Sequence, residues 1–352
     1  MKKKTYLYFY IFLIIPVILI SCASRPVVVE TAVMIETAEV YVPPPETIIP
    51  SPEPPLPPPA IERIVEQVKN NGAEIEKFFV FGANSRITVK ANLKLDDADF
   101  EVTYNLEEAA DKGNSEYEVQ FTVLEKDTDN SQTDTLLWKP AAGNAGLLLS
   151  FDDDYYNTWE QYLDFFDEYG VKVTFFIMGS YVPFSTTALS RGHDVGFHTL
   201  NHKDLRQLSL ADFNMEAIES AQSFRREGVP VTSLAFPYGF SDSWMYDILL
   251  KHYSVLRGYG TTFRLYDTSV IGSGYIISRA IDNTVLQGEE NFENTIRIML
   301  RTVKFMDKNW VLPLTSHDIS NGSWAIRHRR LEFLLKTAVE LRLKFYKFSD
   351  FD

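Results

Sequence analysis

Four short apolar stretches of the chain each end in residues that can bind a metal ion, transfer a proton or form a tight turn. They are LLLSFDDD with Asp152 and Asp153, DVGFHTLNH with His198 and His202, SLAFPYG, and VLPLTSHD with His317. An apolar run followed directly by polar residues is typical of a strand buried in a parallel barrel, because both faces of such a strand are covered and its carboxyl end reaches solvent. The four stretches therefore predict one shared site at the mouth of a barrel.

Two imidazoles and one carboxylate are a common ligand set for a divalent ion that must keep open positions for water and substrate. His198 and His202 are four residues apart, so both rings can face one ion if the segment after the strand is helical. Asp152 or Asp153 can complete the set, and because adjacent residues leaving a strand point to opposite sides, the other can act as a base. With His317 as an acid, the residues describe metal-assisted hydrolysis of an amide or ester.

The stretches FDD, GHDVGFHTLNH, FPYG and LTSHDI, in this order, give residues 144–352 a resemblance to a known family. The segment resembles the polysaccharide deacetylases, the NodB-homology group of carbohydrate esterases. The resemblance implies a hydrolase that removes N-acetyl, or alternatively O-acetyl, groups from a sugar polymer such as one of N-acetylglucosamine. It also implies a distorted (β/α)7 TIM-like barrel of the α/β class.

The same resemblance assigns roles to individual residues. It implies that Asp152 is the general base, that His317 is the general acid, and that a backbone N–H near Tyr238 is an oxyanion donor. The implied metal ligands are Asp153, His198 and His202. The implied cofactor is one divalent metal ion, Zn²⁺ by preference, with Co²⁺ or Ni²⁺ as alternatives.

The third stretch departs from the pattern of many family members. They carry an arginine that pairs with the base aspartate, and this chain has Ala235 at that position. The cation that would hold Asp152 ionised must therefore come from elsewhere. Arg279, at the end of the apolar run GYIIS, is the predicted replacement, and Arg257 is the second choice. An alternative hypothesis is a non-catalytic lipoprotein that uses a degenerate site to bind glycan or to scaffold envelope proteins.

Apolar runs alternate with helical patterns throughout residues 144–352, as a parallel barrel requires. The strand-like runs lie at 147–151, 171–177, 194–197, 231–236, 275–278, 311–315 and 342–346, and the helical segments at 157–169, 209–227, 242–250, 290–307 and 326–340. About seven βα units follow from this count. Ahead of them, a helical pattern at 61–70 and period-two alternation at 87–95 and 117–123 predict a short helix and a β-rich accessory region, 61–143.

The start of the chain predicts export and lipid anchoring. Three lysines precede an apolar stretch from Tyr6 to Ile20, and the sequence LISC places Cys22 in a pattern that resembles the lipobox of bacterial lipoproteins. Residues 1–22 are therefore a predicted signal peptide, with lipid on Cys22 as the contact to the membrane. Residues 23–60 are a predicted linker, since ten of the 17 prolines lie at 43–59. The predicted location is the cell envelope, with the outer membrane favoured.

Several classes of function have no support in the sequence. Cys22 is the single cysteine, so an internal disulfide and thiol catalysis are excluded. A net charge of −14 offers no electrostatic attraction for nucleic acid. The chain lacks a Gly-rich phosphate loop and a dinucleotide fingerprint, which argues against a nucleotide cofactor. Trp324, seven residues after His317, is a candidate for stacking on a sugar ring, and walling of the barrel mouth is the plainer alternative.

Overall fold

The structure is a computed structural model that describes residues 57–72, 75–81, 87–272 and 274–352. The predicted signal peptide, Cys22 and most of the predicted linker lie outside these residues. Residues Pro57–Asp352 form one compact unit. In the ranges just given, no helix is both long enough and apolar enough to cross a membrane.

The first part of the unit is a helix packed on an antiparallel sheet. Helix α1 (Ala60–Asn71) buries one apolar face, as its helical spacing predicts. The strands are β1 (Phe78–Phe81), β2 (Ile87–Leu95), β3 (Ala98–Gly113), β4 (Glu116–Glu125) and β5 (Ser131–Trp138), and they pair in chain order. Buried and more exposed residues alternate along β2 and β4, which confirms the period-two prediction for these segments.

The second part is a closed barrel of parallel strands surrounded by helices. Its strands are β6 (Gly146–Asp153), β7 (Thr174–Ile177), β8 (Asp194–Phe197), β9 (Ser233–Ala235), β10 (Val255–Gly260), β12 (Gly274–Ala280) and β13 (Trp310–Ser316). They pair in this order, and pairing of β13 with β6 closes the ring. Two further strands lie outside it: β11 (Tyr266–Asp267) is antiparallel to β13, and β14 (Lys344–Tyr346) is parallel to β6. The predicted (β/α)7 barrel is confirmed.

Helices follow the strands around the outside of this ring. They are α2 (Tyr156–Glu168), α3 (Val182–Ser190), α4 (Leu210–Asn214), α5 (Ser220–Arg226), α6 (Ser243–Leu249), α7 (Thr268–Ile271), α8 (Glu289–Met306) and α9 (His328–Glu340). One π-helical turn, Met215–Glu219, joins α4 to α5 and makes them one continuous helical segment. The sheet of the first part packs on α8, where Phe305 meets the rings of Tyr104 and Trp138 at centroid distances of 4.9 and 5.1 Å.

One predicted strand is wrongly placed in the barrel, and one barrel strand is missing from the prediction. The run at 342–346 forms β14, which lies outside the ring, whereas β10 was not predicted. The sequence of β10, VLRGYG, contains an arginine and two glycines, so it lacks the continuous apolar character of a buried strand. Its burial comes from the neighbouring strands β9 and β12, a tertiary effect that local pattern does not contain.

The barrel interior is apolar toward the amino ends of the strands and polar toward their carboxyl ends. Leu148, Phe176, Ala235, Val255, Ile276 and Val311 form one buried cluster inside the ring. Because side chains alternate along a strand, residues an even number of positions from these also face inward. This places Asp152, Arg257, Thr315 and His317 toward the interior at the barrel mouth.

Candidate active site

Three predicted metal ligands converge at the barrel mouth. Asp153 ends β6, His198 directly follows β8, and His202 lies four residues further on. Nε2 of each histidine lies 3.3 Å from Oδ1 of Asp153. Metal–ligand bonds of about 2.0 Å in a tetrahedral arrangement place the ligand atoms about 3.3 Å apart, so both distances to Asp153 fit one ion. Oδ1 of Asp153 is buried and has no hydrogen-bond partner in the described part of the chain, which also fits a ligand atom.

The two histidines converge through a turn. The helical segment after β8 that the i, i+4 spacing suggested does not form. Thr199 and His202 have φ angles of 66° and 54°, in the left-handed region, and the Thr199 side chain accepts a hydrogen bond from the His202 N–H at 3.1 Å. Asp153 also has a left-handed φ, 88°. Non-glycine residues in this region carry strain, and such residues cluster at functional sites.

Hydrogen bonding and charge prepare the ligands for a cation. Nδ1 of His198 lies 2.9 Å from the carbonyl oxygen of Ala235, and because a carbonyl can only accept, Nδ1 carries the proton and Nε2 keeps its lone pair. Burial, followed by a smaller contribution from the neighbouring His198, lowers the pKa of His202 and favours the neutral ring that a metal requires. Burial raises the pKa of Asp153, but the interactions with His198, His317 and His202 outweigh it and leave this pKa lowered.

The other aspartate faces away from these ligands, toward an arginine in the barrel interior. Asp152 and Arg257 are both fully buried, and Nη2 of Arg257 lies 2.5 Å from each carboxylate oxygen of Asp152. Thr315 Oγ1 donates a weaker hydrogen bond to Asp152 at 3.4 Å. The opposite orientations of Asp152 and Asp153 agree with the expectation that they have different tasks.

The prediction that Arg279 supplies this cation is wrong, and the second choice, Arg257, occupies the position. Arg257 on β10 is the register partner of Ala235 on β9, so the guanidinium comes from the strand beside the position that Ala235 occupies. Arg279 is three residues after Ile276, an interior residue, and alternation along β12 therefore directs it out of the barrel. Because β10 was not predicted, the sequence offered no strand for Arg257.

His317 pairs with an acid that the sequence analysis missed. Its Nδ1 lies 3.1 Å from both oxygens of Asp282, a fully buried residue that also accepts a hydrogen bond from Ser316 Oγ at 2.7 Å. Burial lowers the pKa of His317, but the hydrogen bond and charge of Asp282 outweigh it, with smaller contributions from Asp152 and Asp153, and raise the pKa to about 9. The signal was available, because Asp282 follows an apolar strand as the other site residues do.

Tyr238 lies in a turn beside the ligands. The turn Pro237–Gly239 follows β9, Tyr238 has a φ of 60°, and its ring centroid is 4.6 Å from that of His202. Gly239 has a φ of 69°, and a Cβ there would come within 2.8 Å of the carbonyl oxygen of Tyr259, so the turn requires glycine. The turn is thus held at the site, and an oxyanion role for the backbone N–H of Tyr238 stays a prediction.

Exposed aromatic rings border the site. Trp324 is 53% exposed, and its ring meets that of His317 at 5.5 Å and 70°. Hydrogen bonds hold the loop that carries it, from Asp318 N–H to the carbonyl of Trp324 at 3.2 Å and from Ile326 N–H to that of Asp318 at 2.9 Å. Tyr156 stacks on Tyr181 with a distance of 4.5 Å between ring centroids, and its hydroxyl donates a hydrogen bond to the Met178 carbonyl. These contacts make Tyr156 part of the wall of the barrel mouth.

The central part of this site has counterparts in known proteins. Residues 140–252 match the family model of the polysaccharide deacetylases. The deacetylase match includes Asp152, Asp153, both histidine ligands and Tyr238, and it ends before β10. Arg257, Asp282 and His317 therefore join the site through the fold, beyond the matched segment.

Individual relatives share limited stretches with this chain. A chitooligosaccharide deacetylase of Sinorhizobium fredii (strain NBRC 101917 / NGR234) is 29% identical over 127 residues, 34% of this chain and 58% of that protein. A gellan lyase of Bacillus sp is 30% identical over 115 residues, 31% of this chain and 4% of that protein. The chitin deacetylase of the fungal pathogen Colletotrichum lindemuthianum has a TM-score of 0.43 and 19% identity, covering 59% of this chain and 87% of that chain. The chain thus spans less than two thirds of the chitooligosaccharide deacetylase and of the gellan lyase.

Proposed function

We propose that this protein is a metal-dependent hydrolase that removes N-acetyl groups from a polysaccharide, with N-acetylglucosamine units as the preferred substrate. The observation that carries the proposal is the convergence of Asp153, His198 and His202 on one point of the barrel mouth. Two separate proton-transfer groups, Asp152 and His317, lie at the same mouth. Neither the base nor the acid shares its hydrogen-bond partner with the metal ligands. Three independent functions can therefore operate at one acetyl group.

A divalent ion held by Asp153, His198 and His202 would supply Lewis-acid polarisation of the acetyl carbonyl and of a water molecule. Zn²⁺ suits a site of two imidazoles and one carboxylate, and Co²⁺ or Ni²⁺ can occupy the same ligands. We therefore propose Zn²⁺ as the native ion, because this donor set suits it.

The protein's own side chains divide the proton transfers between them. Asp152, oriented by Arg257, accepts the proton of the attacking water. His317, kept protonated by Asp282, donates a proton to the departing amine nitrogen. The backbone N–H of Tyr238 stabilises the negative charge that develops on the carbonyl oxygen. Trp324 beside His317 offers a ring on which a neighbouring sugar can stack.

The names of the relatives support the class of substrate. One relative is a chitooligosaccharide deacetylase, and the similar fungal structure is a chitin deacetylase. Both names denote removal of acetyl groups from glucosamine units. An O-acetyl group on another glycan would use the same side chains, and acetate release from both substrate types separates the two.

The hypothesis of a non-catalytic, degenerate site was motivated by the missing arginine at Ala235. Arg257 removes that reason, because it contacts the proposed base Asp152 from β10, the strand next to β9.

We also propose export and lipid attachment at Cys22, which are supported by the lysine-rich start, the apolar stretch and the LISC sequence. A Pro-rich linker would then hold the enzyme away from the membrane surface.

The decisive experiment measures acetate released from chitooligosaccharides, peptidoglycan and acetylated xylan, with and without a chelator. Asp152→Asn should abolish turnover and retain stoichiometric metal, whereas Asp153→Asn should lose metal and turnover together. The two variants form a matched pair, because each replaces one carboxylate oxygen by an amide NH₂ group and the two residues are adjacent. Different effects on metal binding would therefore distinguish the base from the metal ligand. Retained turnover in Asp152→Asn, or metal binding unaffected by Asp153→Asn, would show that these roles are wrongly assigned.

A further inference from the structure

Glu216 is a buried acid with no part in the chemistry proposed above. It lies in the π-helical turn between α4 and α5 and is 2% exposed. A carboxylate is costly to bury unless donors compensate for the lost water. The partners of Glu216 therefore indicate what it does.

Its hydrogen-bond donors come from the loop that carries His202. Oε2 of Glu216 accepts the Asn201 N–H at 2.8 Å, and Oε1 accepts Asn201 Nδ2 at 2.8 Å. Lys203 Nζ lies 3.0 Å from Oε1. The backbone carbonyl of Glu216 accepts the Leu200 N–H at 3.1 Å. Hydrogen bonds to the side chain and the main chain of Glu216 thus hold the loop on both sides of His202.

This loop needs an external support. Thr199 and His202 both have left-handed φ angles, and such residues persist only where surrounding contacts hold them. The π-helical turn, a feature often found at functional sites, places Glu216 on the side of the helix that faces the loop. Burial raises the pKa of Glu216, but the donors from Asn201 and Lys203 outweigh it and keep the pKa below its usual value. The carboxylate is therefore ionised and acts as an acceptor toward all three donors.

We propose that Glu216 is a positioning residue of the metal centre, which holds residues 199–203 so that His202 reaches the same ion as His198. The inference rests on the metal site of the proposed function and adds a residue that does not touch the ion. In Glu216→Gln, the side-chain NH₂ group would face an N–H donor of Asn201 or Lys203. Two donors cannot pair, so that hydrogen bond would be lost and part of the loop would be released.

The test measures Co²⁺ binding by the full-length protein, stripped of metal and titrated while its visible absorption is recorded. Glu216→Gln should weaken Co²⁺ binding by about 10- to 100-fold and change the intensity of the absorption bands at saturation, the range found for groups that orient metal ligands. Asn201→Ala changes an exposed residue and removes only its side-chain hydrogen bond to Glu216, so it should weaken binding by a smaller factor.

Asp194→Asn is the matched control. Asp194 is 3% exposed and accepts hydrogen bonds from Thr174 Oγ1 and Ser349 N–H, each at 3.0 Å, at the opposite end of β8 from His198. Its substitution should leave Co²⁺ affinity and spectrum as in the wild type, even where thermal stability falls.

The outcomes separate this inference from the proposed function. Wild-type affinity and spectrum in Glu216→Gln would overturn the positioning role, as would an equal loss in Asp194→Asn. If the wild-type protein binds Co²⁺ and Glu216→Gln binds it weakly, the positioning role stands even if no polysaccharide releases acetate. A wild-type protein that binds no Co²⁺ would refute the metal centre itself.

Discussion

Replacing Arg257 by methionine tests the pairing on which the base depends. The change removes the guanidinium, whose central carbon lies 4.9 Å from the centre of the Phe176 ring, and keeps an unbranched apolar side chain beside that ring. Asp152 would remain fully buried, and among the described residues its carboxylate would keep one hydrogen bond, from Thr315 at 3.4 Å. Removing one partner of a buried ion pair costs about 3–5 kcal/mol, because the other charge is left uncompensated.

This loss of unfolding free energy corresponds to a fall in Tm of roughly 5–10 °C for a protein of this size. The assay is thermal and urea unfolding in the presence of a chelator, so that metal binding does not contribute to stability. We also expect kcat to fall by about 10²- to 10⁴-fold, the contribution of a positioned base. Arg257→Lys should recover part of both losses, because a single nitrogen of Arg257 contacts the carboxylate and an ammonium can take its place.

Arg279→Met is the control in the same assay. Arg279 is partly buried and, among the described residues, makes no ion pair like that of Arg257 with Asp152, so its loss should cost far less stability than the loss of Arg257. In the double variant Arg257→Met with Asp152→Asn, both charges are gone, and stability should recover relative to Arg257→Met alone. A loss below about 1 kcal/mol in Arg257→Met, or an equal loss in Arg279→Met, would refute the reasoning.

Two further predictions concern the acid side of the site. Asp282→Asn removes the main cause of the raised pKa of His317, about 9 in the structure, so the alkaline limb of the kcat/KM profile should move to lower pH; an unmoved limb in metal-loaded enzyme would show that another group is the acid. Trp324→Ala should raise KM for long oligosaccharides several-fold and leave KM for a small acetyl ester nearly unchanged, and equal effects on both would exclude stacking.

The candidate metal centre could be predicted from sequence because Asp153 ends one recognisable strand and His198 follows another. The runs before these two residues are largely apolar, and the four-residue spacing of His198 and His202 limits how far apart their rings can be. The turn that joins them was not predictable from spacing, since its left-handed φ angles are accompanied by contacts with Glu216, which lies in a helical turn 15 residues after Asn201.

The partners of the base and the acid were harder to predict. Arg257 and Asp282 lie 105 and 35 residues from Asp152 and His317 in sequence, and nothing local marks them as a pair. The choice between Arg257 and Arg279 depended on which strand lies beside β9 and which face each side chain takes. Ring closure decides the first, and alternation within a correctly assigned strand decides the second.

The sequence by itself determined the class of fold, the chemical types at the strand ends and the two candidate histidine ligands, because hydrophobic period and residue spacing are local properties. The choice of Asp153 over Asp152 as the third candidate ligand came from the family resemblance. Tertiary structure alone decided which arginine neutralises Asp152, which acid raises the pKa of His317 and what supports the ligand loop. The first two interactions join residues from different strands or from the loops that follow them, so they form only when the barrel is assembled. The third joins the loop after β8 to a helical turn that packs beside it.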